Sequence, residues 1–213
     1  MSLHLFATAP HDLTELLREE LLELGAAHAK THPHGVAFNG DLALAYRVCL
    51  WSRLANRIYL VLFDQRLDNQ ADLSQHLREF AWSEHFTARQ SFAVSLTGQG
   101  LGIEHTHFGA LLIKDGIVDY FRATTGVRPT VDIDNPDIRI HGHVNRQQFT
   151  LSLDLSGHSL HQRGYRSGKP GAAPLKENVA AAILRRAGIV YTERSGKFIH
   201  YHLNKERLSQ ISH

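Results

Sequence analysis

Between positions 158 and 176 the sequence gathers His158, His161, Arg163, Tyr165, Arg166, Lys169 and Lys176. Guanidinium and ammonium groups neutralise phosphates, and a tyrosine ring can stack on an unpaired base. Glycines at 157, 164, 168 and 171 let the backbone lie close to whatever this stretch touches. The chemistry on offer is therefore recognition of a polyanion; a solvated hinge between domains is the plainer alternative.

The charge balance points the same way. Residues 1–155 hold 13 Lys and Arg against 18 Asp and Glu, a net −5; residues 156–213 hold 10 against 3, a net +7. A basic segment behind a mildly acidic body favours a polyanionic partner, most often nucleic acid.

Other constellations carry less. Gly98-Gln99-Gly100-Leu101-Gly102 looks superficially like a nucleotide or S-adenosylmethionine loop. Such folds need further parallel strand–helix units, and here an antiparallel hairpin follows, so a glycine-relaxed turn is the better reading. The 16 histidines include four pairs at alternate positions, 32/34, 105/107, 141/143 and 200/202. On a strand each pair shares a face and could chelate, but no carboxylate or cysteine stands at a recognised ligand spacing. Exposed strand histidines are expected. Asp132, Asp134 and Asp137 flank Pro136 and read as turn residues rather than an acid/base pair. Neither a G-x-S-x-G elbow nor an H-E-x-x-H helix occurs.

These groups need a scaffold. The chain has 213 residues, 43% apolar and 21% charged, enough for one large or two small cores. Lone Cys49 excludes an internal disulfide framework and a cysteine-rich zinc site. No apolar run reaches a membrane span and no signal peptide is read, so a cytoplasmic protein is expected. Leu3–Ala7 reads as a strand. Leu13, Leu16, Leu17, Leu21 and Leu24 define one helical face, with Asp12 as N-cap, Glu15 completing an acidic capping box and Gly25 as the stop. Strands at 27–31 and 36–38 follow, then a helix opened by Asp41 and a strand at 58–63. Strand, helix, strand, strand, helix, strand is the ferredoxin-like order.

The next third predicts a helix at 71–82, a strand at 92–96 and a helix at 106–121 broken by Gly126 and Pro129. Strands at 130–133, 138–144 and 149–155 follow, the last two as a hairpin. Residues 156–174 read as a linker. A helix at 175–187, stopped by Gly188, then precedes a hairpin of 189–192 and 198–203 around Ser195-Gly196.

Several ordered strings resemble a known family. Leu50-Trp51-Ser52-Arg53-Leu54-Ala55-Asn56-Arg57, after Val36-Ala37-Phe38-Asn39-Gly40, is similar to the start of bacterial large-subunit ribosomal RNA guanine-N2 methyltransferases. Ile113-Lys114-Asp115-Gly116-Ile117-Val118-Asp119 and Asp134-Asn135-Pro136-Asp137-Ile138-Arg139 continue the match. The run from Leu153-Asp154-Leu155-Ser156-Gly157-His158 through Gly164-Tyr165-Arg166, and Ala173-Pro174-Leu175-Lys176-Glu177-Asn178, extend it. The resemblance covers about residues 3–188. It implies a ferredoxin-like domain, then a THUMP domain that binds RNA and presents it to a methyltransferase domain. The family's Asp-Pro-x-Cys-Gly-Ser-Gly loop and Asn-Pro-Pro-Tyr motif do not occur here. Residues 189–213 fall outside the match; with the preceding helix they resemble the wing hairpin of small winged-helix repressors, without a complete helix-turn-helix.

The expectation is an α+β protein: a ferredoxin-like domain (1–66), a THUMP domain (67–155), a basic linker (156–174) and a helix-plus-hairpin extension (175–213). Arg163, Tyr165, Arg166, Lys169 and Lys176 are the expected RNA contacts, with Lys114, Arg128 and Arg139 on the THUMP body. The expected partner is structured RNA, specifically large-subunit ribosomal RNA, with a fused or separate methyltransferase domain. No cofactor or metal is expected in this chain; S-adenosylmethionine would belong to the catalytic domain. The alternatives are a subunit completed by a separate catalytic chain and a DNA-binding regulator acting through the tail.

Overall fold

A computed structural model describes residues 2–162, 175–195 and 198–211. They form two compact units. The first joins both ends of the chain, residues 1–59 and 155–213, and the second is the continuous stretch 60–154. The units change at positions 59/60 and 154/155.

The first unit begins with β1 (Leu3–Thr8), α1 (Thr14–Glu23), β2 (Ala27–His32), β3 (Gly35–Gly40) and α2 (Leu42–Trp51). β3 lies antiparallel between β2 and β1. The far edge of β1 faces the start of β4 (Arg57–Arg66), where Thr8 accepts the Asn56 amide at 2.7 Å. This is the ferredoxin-like order the sequence predicts. Alternation on β1 buries Leu5 and Ala7, and α1 turns Leu17 and Leu21 inward as it packs on β2 and β3. Asp41 caps α2, its Oδ1 accepting the Leu44 amide at 2.7 Å.

Asp12 does not cap α1. Pro10 sends His11–Leu13 into a short 3-10 turn, so the helix starts at Thr14 with no side-chain cap. Glu15, freed from a capping box, accepts from Arg18 at 3.0 Å and Thr31 at 3.1 Å.

The chain re-enters this unit at Leu155. Its amide donates to the Ile58 carbonyl at 2.9 Å, Ser156 Oγ accepts the Ile58 amide at 2.6 Å, and the Leu160 amide reaches the Asn56 carbonyl at 2.8 Å. Residues 155–160 are thus part of the fold rather than linker. So is α5 (Glu177–Arg186), whose buried Asn178 donates to the Leu54 carbonyl at 3.2 Å and to Asn56 Oδ1 at 2.9 Å. The antiparallel hairpin β8 (Val190–Ser195) and β9 (Phe198–Leu203), then α6 (Lys205–Ile211), complete the unit.

The second unit contains the end of β4, α3 (Gln70–Glu79), β5 (Phe92–Gly100), α4 (Thr106–Thr125), β6 (Ile138–Arg146) and β7 (Gln148–Asp154). The strand order is β4-β7-β6-β5, with β5 parallel to β6 and β6 antiparallel to β7. α3 and α4 pack together, and Trp82, Phe86, Phe92, Ile113, Ile117, Phe121, Ile140, Val144 and Phe149 share one core. Trp82 lies beyond α3, not inside it: the backbone turns extended at Phe80, and the indole Nε1 donates back to the Leu77 carbonyl at 2.7 Å. Gly126 stops α4 in the left-handed region at φ 71°.

Residues 130–133 make a single bridge, Val131 to Phe92, rather than a strand. The cause is Asp132, whose Oδ1 accepts the amides of Asp134 and Asn135 at 3.0 Å and turns the chain away.

The glycine-rich segment is neither cofactor loop nor turn in its first part. β5 runs through Gly98 and Gly100, both paired to β6. Gly98 has φ +87°, and a Cβ there would stand 1.8 Å from the Val144 carbonyl oxygen. Gly98→Ala is expected to destabilise the second unit by about 2–3 kcal/mol, since a strained backbone and a clash fall on one residue. A thermal melt reports it, and an unchanged midpoint would refute this account of the glycine.

Candidate nucleic-acid interface

β5 and β6 alternate along their buried stretches, and β7 does so except that Ser152 is buried beside Leu151. Leu96, Ile140, Val144, Phe149 and Leu151 enter the core, leaving Ser95, Thr97, Arg139, His141 and His143 on the other side of the sheet. Register sets Ser95 beside His141 and Thr97 beside His143. Ser95 Oγ lies 2.9 Å from His141 Nδ1; Thr97 Oγ1 lies 3.2 Å from His141 Nε2 and 3.0 Å from His143 Nδ1. Further along, Asp64 Oδ1 accepts from Gln148 at 2.7 Å and Thr150 at 2.9 Å. Hydroxyl, imidazole and amide groups in such a lattice match ribose hydroxyls and phosphate oxygens. The histidines serve this lattice; among the described residues no three potential ligands converge on a metal position.

The three cations expected on this unit do not form one patch. Arg139 is on the polar sheet face, its Nη2 donating to the Asp134 carbonyl at 3.0 Å. Lys114 sits on α4, in the helical layer packed on the sheet's other side. Its Nζ is 2.7 Å from Asp115 Oδ1, and its side chain is 25% exposed. Arg128 is exposed in the loop after α4. Lys176 is exposed at the start of α5. Arg163, Tyr165, Arg166 and Lys169 lie outside the described residues.

The aspartates behave as turn groups. Asp137 accepts the amide and hydroxyl of Ser91 at 2.8 and 2.9 Å, and the backbone hydrogen bond foremost holds its carboxyl below the usual range.

Sequence reasoning missed a buried carboxylate in the first unit. Glu20 Oε2 accepts from Ser52 Oγ at 2.6 Å and the Leu54 amide at 3.3 Å; Oε1 accepts from the Arg53 amide at 3.0 Å and the Tyr201 hydroxyl at 3.3 Å. Burial raises the Glu20 pKa, against these donors. Burial chiefly, then the Glu20 charge, pushes the Tyr201 phenol up as well. Arg53 stacks over the Tyr201 ring at 5.1 Å, so this arginine is structural. With its oxygens committed to the fold, Glu20 joins chain segments. A signal existed: Glu20 is three residues from Leu17 and four from Leu24, on the apolar face.

Comparison with known proteins places these features. Residues 4–59 match the RlmL ferredoxin-like domain, and residues 68–154 match the THUMP domain. The ribosomal RNA large subunit methyltransferase K/L of Hydrogenovibrio crunogenus is 64% identical over 182 residues, 85% of this chain and 25% of that protein. Its Pseudomonas aeruginosa counterpart is 53% identical over 184 residues, 86% of this chain and 25% of that protein. The crystal structure of a predicted N6-adenine-specific DNA methylase from Listeria monocytogenes superposes with a TM-score of 0.75 at 26% identity, covering 87% of this chain and 48% of that one. The chain is thus a THUMP-containing protein with an RlmL-type ferredoxin-like domain. Over most of its length it is similar to ribosomal RNA large subunit methyltransferases K/L, and it carries the ferredoxin-like and THUMP domains matched above. It spans about a quarter of the length of those curated relatives. No described helix is long and apolar enough to cross a membrane.

Proposed function

We propose that the chain grips structured large-subunit ribosomal RNA in the cytoplasm and presents it to a methyltransferase domain, fused or separate. The observation that carries this reading is the pair of matched domains, in order, at 53–64% identity to proteins named for that RNA. The net +7 of residues 156–213 supports a phosphate-led complex placed by shape more than by base sequence. S-adenosylmethionine is the cofactor of the methyltransferase domain in this reading. Pairing of Gly98 and Gly100 with β6 supports reading the glycine-rich segment as strand rather than cofactor loop.

The test is a salt titration of the purified chain against a folded large-subunit RNA fragment and duplex DNA. RNA should bind more tightly, with log affinity falling linearly in log salt. A chain that ignores the RNA in dilute buffer, or that prefers duplex DNA, overturns the proposal. Saturable uptake of labelled S-adenosylmethionine by the chain alone overturns the assignment of the cofactor elsewhere.

A further inference from the structure

The β8–β9 hairpin has two faces with different work. On one face Thr192 Oγ1 donates to Glu23 Oε2 at 3.1 Å, and the Tyr201 hydroxyl donates to Glu20 and, at 3.3 Å, to the Trp51 carbonyl. Arg185 Nη2 on α5 reaches Glu23 Oε1 at 2.6 Å, tying the same carboxylate to the preceding helix. This face anchors the hairpin to α1 and α2.

The other face is a strip of rings. Tyr191 pairs directly across from His202, and Glu193 from His200. The Tyr191 and His202 rings are stacked, 5.3 Å between centroids at 24°, and His200 follows at 6.1 Å from His202 at 37°. Tyr191 is 50% exposed and the His202 side chain 41% exposed. Aromatic area left in water on an anchored ribbon is a preorganised surface for a flat ligand.

We propose that Tyr191, His202 and His200 form a stacking platform for an unpaired RNA base. The inference rests on the RNA-binding reading above. Two observations choose a base over a phosphate at this spot. Every nucleobase offers a π-face, which the rings match. Glu193 Oε2, 3.5 Å from His202 Nε2, sets a carboxylate on the same face, where it would repel a phosphate. The net +7 of residues 156–213 is the charge in this part of the sequence that can neutralise phosphates.

The test uses two RNAs of equal length, one fully paired and one with a loop carrying 2-aminopurine. The Tyr191→Ala/His202→Ala variant should bind the looped RNA at least about fivefold more weakly, the loss of one stacked base, and the paired RNA within about twofold. Quenching of 2-aminopurine by the unaltered chain should disappear with it, and Tyr191→Phe should retain both affinity and quenching. Unaltered affinity or an equal loss for both RNAs overturns the platform. A chain that binds neither RNA sinks the RNA-binding reading and the platform together. Binding of both RNAs with an indifferent double variant sinks the platform alone. Both side chains are exposed, and a matched thermal midpoint confirms that the variants fold.

Discussion

Glu20→Ala is expected to lower the unfolding free energy of the first unit by about 3–5 kcal/mol, the range for breaking a buried charged network. Three donors lose this acceptor at once, the Ser52 hydroxyl and the Arg53 and Leu54 amides, while the Tyr201 phenol keeps the Trp51 carbonyl. An unsatisfied buried donor costs about 1–3 kcal/mol, and partial rehydration keeps the total below the simple sum. Urea denaturation followed through Trp51, in a Trp82→Phe background, isolates this unit. A loss under about 1 kcal/mol would mean that water already serves these donors. The pH dependence has a defined sign. Burial raises the folded Glu20 pKa above its ordinary 4.5. Its stabilising contribution is therefore full below that value and declines as pH climbs through the raised folded value. Glu20→Gln removes this decline, so subtracting the two stability–pH profiles exposes it. Glu15 and Asp137 titrate with the opposite sign, because hydrogen bonds from Arg18 and Ser91 hold their carboxyls low. Their contribution fades on acidification, and the subtraction cancels it.

The second large effect concerns the ligand. Replacing Arg163, Arg166 and Lys169 together by alanine is expected to reduce RNA affinity about a hundredfold near 0.1 M salt. Each lost phosphate contact takes about 0.7–0.9 from the slope of log affinity against log salt, so the slope should shallow by about 2.1–2.7. Lys114→Ala is the contrast: its ammonium is already paired with Asp115, and its loss should change affinity little. Equal effects of the triple and the single variant would remove the 158–176 stretch from the interface.

Local signals carried the sequence reading far. The leucine spacing on α1, the Asp41 cap and the helix stop at Gly126 depend on residues a turn apart, and the structure bears each out. The ferredoxin-like order followed from them. Asp12 misled because a 3-10 turn after Pro10 competes with a capping box and leaves no trace in spacing. The expected strand at 130–133 failed for a similar reason: after one bridge, an aspartate side chain holds the following amides in a turn. The return of residues 155–160 and of α5 to the first unit rests on partners about a hundred positions away. Periodicity holds no record of such pairs. At the candidate interface, the histidines at 141 and 143 were legible as a strand pair, whereas Ser95 and Thr97 gained meaning only from the parallel register. Tyr201 looked like one aromatic of a hairpin and is the phenol that meets Glu20.

The interrupted path of the chain also sets an order of events at birth. Residues 60–154 are contiguous, whereas the first unit needs Asn178 and Tyr201 to satisfy Leu54 and Glu20. On a translating ribosome the inserted unit can finish while the host around it still awaits its last strands, reversing the usual amino-terminal priority. A nascent chain stalled once residue 154 has cleared the ribosome would then display a protease-resistant insert behind an unfinished amino-terminal flank.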